Sequence, residues 1–327
     1  MSEAVLPPED ERLTSPLARF GGDRPPAPDW FTRAVAVEPE RATLDVAGAN
    51  IELLTWGERG LPGLLFLHGS GAHADWWRFI APFFAETHRC AAISWSGMGG
   101  SGRREAYTMD LFADEAFAAG EAAGLFEPAA KPVWVAHSFG GAPAMWAAAR
   151  EGGRLGGVVV LDSGLRPPDR PFNGPPSSGA PHRVYPSLTA ALARFRLTPA
   201  QTCDNLYLVD DIARRSLKQV AGPGEQGVEG EGWTWRFDPL LWRRMERIDG
   251  PRRAEALAAA LCPMAFVWGE RSRLMTPDMV AYTRSQAPPG SPFFAIPDAG
   301  HHVMLDQPLA LVAALRGLFA VWPHTPD

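Results

Sequence analysis

The sequence contains few cysteines, and they lie far apart. Its 327 residues include only Cys90, Cys203 and Cys262, which form no C-x-x-C pair. This spacing indicates neither a disulfide framework nor a cysteine-rich zinc site. We therefore expect the three residues to act as small buried hydrophobic side chains.

Basic clusters and long apolar segments are also missing. The net charge is −6 and no run of Lys or Arg is present, which argues against nucleic acid as a partner. No uncharged apolar run is long enough to span a bilayer, and the first segment, MSEAVLPPEDERL, lacks the basic and apolar regions of a signal peptide. The sequence predicts no membrane span and a cytoplasmic location, while a homo-oligomer stays open.

The sequence does contain a series of short apolar runs separated by helical patterns. The runs are GLLFLHGSG, CAAISW, VWVAHS, GVVVLDS, MAFVWGE and PFFAIPD, and intervening segments such as 110–123 favour helices. Ahead of them, TLDVAGANIELLTWG alternates around a turn at Gly48, which predicts a hairpin. This rhythm predicts an α/β fold, with a mostly parallel central sheet flanked by helices.

The same pattern divides the chain into four parts. Residues 1–28 are rich in proline and charge, which predicts an irregular arm draped over the surface. The strand pattern fills residues 29–162 and resumes over 256–327. Between these parts, residues 163–255 carry helical patterns and aromatic residues but no buried strand pattern. We predict a mainly helical cap, inserted after the sixth strand and packed over the carboxyl edge of the sheet, where open α/β folds bind ligands.

Four short motifs follow predicted strands. AHSFGG, residues 136–141, places Ser138 on a tight turn from strand to helix, and its glycines leave room for that turn. LHGSG at 67–71, the glycine-rich SWSGMGGSG at 94–102 and DAGHHVMLDQP at 298–308 are the other three. A serine pentamer alone occurs often by chance, so the order of all four motifs carries the weight.

Together the motifs resemble those of the α/β-hydrolase superfamily, and the resemblance extends over about residues 30–322. AHSFGG is similar to the family's nucleophile elbow, G-x-S-x-G, with Ala136 in place of the first glycine. The resemblance implies an α/β-hydrolase fold and a serine hydrolase that cleaves an ester or lactone of a small hydrophobic substrate through an acyl-enzyme. It implies neither a cofactor nor a metal.

The resemblance also implies roles for individual residues. Ser138 would be the nucleophile and His301 the general base, since a serine hydroxyl needs a group that accepts its proton near neutral pH. The backbone N–H groups of Phe139 and of Ser70, with Gly71 as the alternative to Ser70, would form the oxyanion hole.

The acid of the triad is less direct to assign. Many relatives carry it after the next-to-last strand, where FVWGERSRLMTP places Ser272, and a serine cannot supply the charge. Asp162 at the end of GVVVLD, Glu270 and Asp278 are the candidates. We favour Asp162, because some relatives place the acid after this strand and its carboxylate would emerge beside the strand of Ser138. Each candidate also has a structural interpretation. Asp162 could accept hydrogen bonds from the backbone of the following turn, Glu270 could stabilise its turn, and Asp278 could cap a helix.

Several further side chains are candidates for substrate contact, each with packing as the competing interpretation. They are His73, Trp77, Trp235, Trp242 and His302. His68 is expected to be a hydrogen-bonded structural residue beside the turn.

Other functions stay open beside ester or lactone hydrolysis. Carbon–carbon bond hydrolysis, perhydrolysis and amide cleavage use the same triad, and a non-catalytic protein that binds a small ligand could keep the fold. Ser138 argues against haloalkane dehalogenase and epoxide hydrolase activity, because those members of the superfamily use an aspartate that forms an alkyl-enzyme ester.

Overall fold

The computed structural model describes residues 15–170, 182–220, 232–246 and 250–322. Its strands are β1 (Glu40–Val46), β2 (Ala49–Trp56), β3 (Gly63–Leu67), β4 (Arg89–Ile93), β5 (Val133–His137), β6 (Gly157–Leu161), β7 (Leu217–Val220), β8 (Gly232–Trp235), β9 (Met264–Gly269) and β10 (Phe293–Ile296). Its α-helices are α1 (Asp29–Ala36), α2 (Met109–Ala122), α3 (Gly141–Glu151), α4 (Leu188–Leu192), α5 (Leu206–Arg215), α6 (Leu241–Arg244), α7 (Gly250–Ala258), α8 (Pro277–Gln286), α9 (Val303–Asp306) and α10 (Pro308–Ala320).

Eight of the strands form one mixed sheet in the order β1-β2-β4-β3-β5-β6-β9-β10. β2 runs antiparallel to β1 and β4, whereas β3, β4, β5, β6, β9 and β10 are mutually parallel. Helices connect the parallel strands, for example α2 between β4 and β5 and α3 between β5 and β6. The predicted α/β fold with a mostly parallel sheet is confirmed.

The predicted hairpin at the edge of the sheet is confirmed as well. Val46 of β1 pairs with Ala49 of β2. The two residues between them, Ala47 and Gly48, have φ angles of 48° and 79°. Positive φ at both positions is what a two-residue turn with the twist of a β-hairpin requires.

The two faces of the sheet carry separate apolar cores. Leu64 and Phe66 of β3 belong to one core, and Leu65 and Leu67 belong to the other, as the alternation of side chains along a strand dictates. Because helices cover both faces, the parallel strands are continuous apolar runs rather than alternating ones. Cys90 and Cys262 are buried in these cores and Cys203 is partly buried, and all three are free thiols.

The register of three neighbouring parallel strands positions the candidate site. His137, the last residue of β5, pairs with Leu161, the last residue of β6, which pairs with Val267 of β9. The residues that follow β5 and β6 are Ser138 and Asp162. Adjacent strands lie about 4.8 Å apart, so these two residues emerge next to one another at the carboxyl edge of the sheet.

The insertion after β6 contains helices and one small sheet. Both helical patterns of the sequence are found, as α4 and α5. The antiparallel pair β7 and β8 was not predicted, since each strand has only four residues and neither forms an apolar run. Helix α7 packs against α3 of the core, so the expected end of the cap at residue 255 falls within a core helix. Most of the glycine-rich segment 222–232 and residues 171–181 lie outside the described residues.

The part of the N-terminal arm that is described, residues 15–28, lies against the cap. Ser15 donates a hydrogen bond from Oγ to the carbonyl of Leu192 in α4, at 2.8 Å, and Leu17 is buried. Arg214 of α5 donates to the carbonyl of Gly22 at 2.6 Å. Residues 1–14 lie outside the described part of the chain. Among the described residues, no helix has the length and apolar character needed to cross a membrane.

A buried ion pair joins helix α2 to the loop after β4. Glu115 has no exposed surface, and its Oε1 lies 2.9 Å from Nη2 of Arg104. The other oxygen of Glu115 accepts the N–H of Ser96 at 2.9 Å. Arg104 also donates to the carbonyls of Val46 and Ala47 in the hairpin. This largely buried pair therefore ties three segments together.

We expect Glu115→Ala to lower the free energy of unfolding by about 3–5 kcal/mol, because it leaves the Arg104 guanidinium buried without its counter-charge. Urea unfolding followed by circular dichroism measures the change. The matched control is Glu127→Ala, which removes the partner of Arg59 from an exposed ion pair and should leave the midpoint close to that of the unmodified chain. Equal midpoints for both variants would contradict the prediction.

Candidate active site

Ser138 occupies a strained position between β5 and α3. Its φ angle is 53°, in the left-handed region of backbone conformation that residues other than glycine seldom adopt. The turn is possible because its neighbours are small. A Cβ atom on Gly140 would lie 2.7 Å from the carbonyl oxygen of His68, and one on Gly141 would lie 2.8 Å from Oγ of Ser163. Ala136 stands one position inside β5, fully buried, so its methyl group is accommodated where the family has glycine.

The loop after β10 brings His301 to Asp162. Nδ1 of His301 lies 2.6 Å from Oδ2 of Asp162, and both side chains are buried. Since a carboxylate only accepts hydrogen bonds, Nδ1 carries the proton and Nε2 of the neutral ring keeps its lone pair. This is the tautomer that a general base requires.

The Asp162 carboxylate is held by three hydrogen bonds. Besides His301, its Oδ1 accepts the N–H of Gly269 at 2.8 Å and its Oδ2 accepts the hydroxyl of Ser272 at 2.7 Å. Ser272 is the residue at the position where many relatives carry the acid. The chain therefore keeps a polar group at that position, and the group donates a hydrogen bond to the carboxylate on the neighbouring strand.

The other two candidate acids make different contacts. Glu270 is exposed and accepts the N–H of Asp298 at 3.2 Å, so it joins the turn after β9 to the loop after β10. Asp278 accepts the hydroxyl of Thr276 at 2.6 Å at the start of α8 and lies 2.8 Å from Nε of Arg170. Neither carboxylate is among the hydrogen-bond partners of His301 in the described part of the chain.

The loop at residues 67–71 lies directly against the serine turn. A Cβ atom on Gly69 would lie 3.0 Å from Cβ of Ser138, closer than an ordinary contact, so glycine favours this approach. The N–H of Gly71 donates to Sδ of Met98 at 3.3 Å. Because that contact engages the Gly71 amide, it favours Ser70 over Gly71 as the oxyanion donor from this loop.

His68 fixes this loop to the end of β4. Its Nδ1 donates to the carbonyl of Gly69 at 2.7 Å, its Nε2 accepts the N–H of Trp95 at 3.0 Å, and the Trp95 indole donates back to the His68 carbonyl. The bond that Nε2 accepts needs the neutral ring, and burial lowers the pKa of His68 to about 3. The structural interpretation of His68 agrees with these contacts.

Glu52 is a residue that the sequence analysis missed. The glycine-rich loop has Ser94 where the family often has an acid, and the Ser94 hydroxyl donates to Oε2 of Glu52 at 2.6 Å. The same oxygen accepts the N–H of Gly100, and Oε1 accepts from Arg236 of the cap at 3.1 Å. Glu52 thus supplies the carboxylate for this loop from β2, a strand 42 residues earlier, which no local motif signals.

Two of the proposed substrate-contact residues are packed inside the protein. His73 is buried and its Nε2 lies 3.0 Å from Oγ of Ser216, at the end of α5. Trp77 is fully buried, with its ring 5.1 Å from that of Phe66 in the core. For both residues the described contacts favour packing over a place beside Ser138.

The two tryptophans of the cap lie in different surroundings. Trp242 is partly buried and meets the ring of Phe139 edge-on, with centroids 5.3 Å apart, so it lies next to the serine turn. Trp235 packs against Tyr185 and Phe195 within the cap. Trp242 therefore has the better position for substrate contact.

The rings of His302 and His137 lie next to that of His301. The rings of His301 and His302 are 4.8 Å apart, and that of His137 is 4.9 Å from His301. The backbone of this loop is held by Gln201 of the cap, whose Oε1 accepts the N–H of His302 at 3.1 Å. His137 and Gln201 were not predicted, because only the fold brings β5, the cap and the last loop together.

Comparison with known proteins places the chain in a family. The model of the alpha/beta hydrolase family matches residues 64–315, so the chain belongs to that family. This confirms the resemblance found in the sequence. A curated relative, epoxide hydrolase 3 of Xenopus tropicalis, is 24% identical over 325 residues, covering 92% of this chain and 83% of the relative.

Solved structures share the fold at low sequence identity. The thioesterase domain from the curacin biosynthetic pathway is 20% identical with a TM-score of 0.68, and the match covers 85% of this chain and 99% of the domain. The esterase Rv0045c from Mycobacterium tuberculosis is 21% identical with a TM-score of 0.63, covering 97% of this chain and 100% of the esterase. The structural similarity demonstrates a common fold. At sequence identities this low it says nothing of the reaction, which must be argued from the site.

The low pKa of His68 predicts a loss of stability in acid. In the unfolded chain its pKa returns to the ordinary value of 6.5, so the unfolded state binds a proton first as pH falls. The free energy of unfolding should decrease below about pH 6.5, by up to about 1.4 kcal/mol per pH unit for this one group, until its folded pKa is reached.

Urea unfolding of the unmodified chain and of His68→Gln, at about pH 7.5 and about pH 4.5, measures this effect. Glutamine retains one donor and one acceptor but does not titrate, so the variant should lose less stability than the unmodified chain between the two pH values. The same loss in both proteins would contradict the assignment.

Proposed function

We propose that this protein is a serine hydrolase that cleaves an ester or lactone of a small, hydrophobic substrate through an acyl-enzyme. The observation that carries the proposal is Ser138, held at a φ of 53° where β5 turns into α3. A protein that only binds a ligand has no need to keep a polar residue in this costly conformation. In an enzyme, the strain keeps the hydroxyl available to the substrate.

His301 and Asp162 would activate the serine. As Oγ of Ser138 attacks the carbonyl carbon, Nε2 of His301 takes its proton, and the ring becomes positively charged. The Asp162 carboxylate, 2.6 Å from Nδ1, stabilises that charge and holds the tautomer. The proton then passes from Nε2 to the leaving alcohol, and a water molecule activated by the same ring releases the acid.

The oxyanion would be stabilised by backbone donors. The N–H group of Phe139 belongs to the serine turn and that of Ser70 to the loop at residues 67–71. These two segments lie in close contact at Gly69 and Ser138. Such donors are aligned before the reaction begins, so no reorganisation is needed as charge grows on the substrate oxygen. Loss of one donor of this kind raises the barrier by roughly 3 kcal/mol.

The similarity to an epoxide hydrolase suggests hydrolysis of an epoxide as a second candidate reaction. The chemistry of a serine nucleophile argues against that reaction. A carboxylate that opens an epoxide forms an ester, which water can cleave. A serine hydroxyl would form an ether, which this machinery cannot hydrolyse. Ester or lactone cleavage is therefore the reaction that the nucleophile supports, and styrene oxide should remain unchanged in the presence of the enzyme.

The first test is whether Ser138 reacts. A fluorophosphonate probe should label the unmodified chain and leave Ser138→Ala unlabelled, and hydrolysis of p-nitrophenyl esters of increasing chain length should fall to background in that variant. Its melting temperature should stay near that of the unmodified chain, because removal of one partly exposed hydroxyl leaves little cavity. Undiminished hydrolysis by Ser138→Ala would refute the nucleophile, and an unlabelled, inactive native chain would favour the binding-protein alternative.

The second test separates the candidate acids. Asp162→Asn preserves shape but presents an amide to Nδ1 of His301, and we expect kcat to fall by about four orders of magnitude, as loss of the acid does in other triads. Glu270→Gln is the matched control, since this carboxylate is exposed and accepts the N–H of Asp298, a bond that the glutamine oxygen can also accept, and it should retain near-normal kcat. A normal rate for Asp162→Asn together with an inactive Glu270→Gln or Asp278→Asn would refute the assignment.

A further inference from the structure

Three imidazoles cluster beside the serine turn. His137, His301 and His302 are each at most 4% exposed, and one ring nitrogen from each lies within 4.8 Å of those of the other two. The three residues come from the end of β5 and from the loop after β10. Two neutral histidines besides the base are more than the triad needs.

Hydrogen bonds fix the tautomers of two of the rings. Nδ1 of His301 donates to Asp162, which leaves the lone pair of His301 on Nε2. Nε2 of His137 lies 3.0 Å from the carbonyl of His301, so it carries the proton and the lone pair of His137 is on Nδ1. Nδ1 of His137 is buried and has no hydrogen-bond partner in the described part of the chain.

His302 is the most unusual of the three. Both of its ring nitrogens are buried and neither makes a hydrogen bond of full geometry, although the ring interacts with the backbone of Thr198. The ring is enclosed by Trp76, His137 and His301, with centroids 5.3, 5.6 and 4.8 Å away. A buried polar group without a partner is rare in folded proteins and calls for an explanation such as a bound ion.

We infer that His137, His301 and His302 bind a divalent transition-metal ion, with Zn²⁺ as the best fit, and that the bound ion inhibits the enzyme reversibly. Neutral imidazoles are the nitrogen ligands that Zn²⁺, Ni²⁺ and Cu²⁺ favour. Two of the rings donate their single N–H to a carboxylate and to a backbone carbonyl, which leaves the other nitrogen for a metal in the usual arrangement of histidine ligands.

The distances require a modest closure of the cluster. Zn–N bonds of 2.0–2.1 Å in a tetrahedron place the nitrogens about 3.4 Å apart, so a pair of nitrogens at the 4.8 Å limit of the cluster would have to approach by about 1.4 Å. Rotation of the His302 ring would supply this movement, and the interaction that the ring would give up is the one with the backbone of Thr198. The fourth position would remain open to water.

The inhibition rests on the proposed function. Nε2 of His301 is both the metal ligand and the atom that takes the proton of Ser138, and one lone pair cannot do both. The ion is therefore an inhibitor of the triad and no part of its chemistry, and a chelator should restore the rate.

The test starts with metal binding alone, which is independent of catalysis. Titration of the full, chelator-treated chain with Co²⁺ should produce the intense visible absorption of a tetrahedral site, saturating at one ion per chain and displaced by Zn²⁺. His302→Asn and His137→Asn should each weaken Co²⁺ binding at least about tenfold. Ser138→Ala should bind as the unmodified chain does, and so should the control His88→Gln, which removes an imidazole from outside the cluster.

Activity supplies the second readout. The Zn²⁺ concentration that halves ester hydrolysis should rise at least about tenfold in His302→Asn, measured against that variant's own rate. If Ser138 proves unreactive, loss of the Co²⁺ signal in His302→Asn still supports the metal site. Circular dichroism identifies a variant that fails to fold. If His137→Asn fails to fold, the result for His302→Asn decides the test. Unchanged Co²⁺ binding in a folded His302→Asn, or no tetrahedral absorption in the unmodified chain, would overturn the proposal.

Discussion

A buried carboxylate at the end of β6 is the constraint on which the site geometry depends. Asp162 is 1% exposed, and its two oxygens accept from the amide of Gly269, the hydroxyl of Ser272 and the ring of His301. An ion in this position is tolerated only when its hydrogen bonds are complete, since an unpaired buried charge is strongly destabilising. The need to satisfy Asp162 therefore draws the loop after β9 and the loop after β10 toward the end of β6.

The close approach of these loops depends on glycine residues. A Cβ atom on Gly269 would lie 2.1 Å from the carbonyl of Gly300, and one on Gly140 would lie 2.7 Å from that of His68. The first contact brings the histidine loop against β9, and the second brings the oxyanion loop against the serine turn. Larger residues at either position would separate backbones that must touch. The meeting of Ser138, His301 and Asp162, the contact of the 67–71 loop with the serine turn and the imidazole cluster all depend on close backbone packing at one edge of the sheet.

The sequence predicted the features that local chemistry dictates. A serine on a strand-to-helix turn needs small neighbours within three residues, and buried parallel strands need continuous apolar runs, so both leave a local signal. Asp162 could be favoured because Ser272 left the usual acid position without a charge. The contact between Asp162 and Ser272 was beyond the sequence, since it joins residues 110 positions apart.

Other features were hidden for the same physical reason. Glu52 serves a loop on another strand, and His137 meets His301 across 164 residues, so their roles depend on sheet order. The short strands β7 and β8 have too few residues to establish a period. Trp77 shows the reverse problem: its position after the oxyanion loop suggested a pocket, but the ring turns toward Phe66 and the core. Packing decides whether a large apolar side chain turns toward a pocket or toward the core, and the sequence is the same in either case.

The position of His301 in the fold gives one lone pair two competing uses. With Nδ1 committed to Asp162, all of the chemistry of the ring is directed through Nε2. A neutral, basic nitrogen that accepts a proton well also binds soft or borderline cations well, and the proximity of His137 and His302 increases that tendency by offering further ligands. The same burial that lowers the pKa of His137 and His302 keeps both rings neutral and free to coordinate. A site in which His301 lies among two uncharged imidazoles therefore offers several nitrogen ligands to a metal ion.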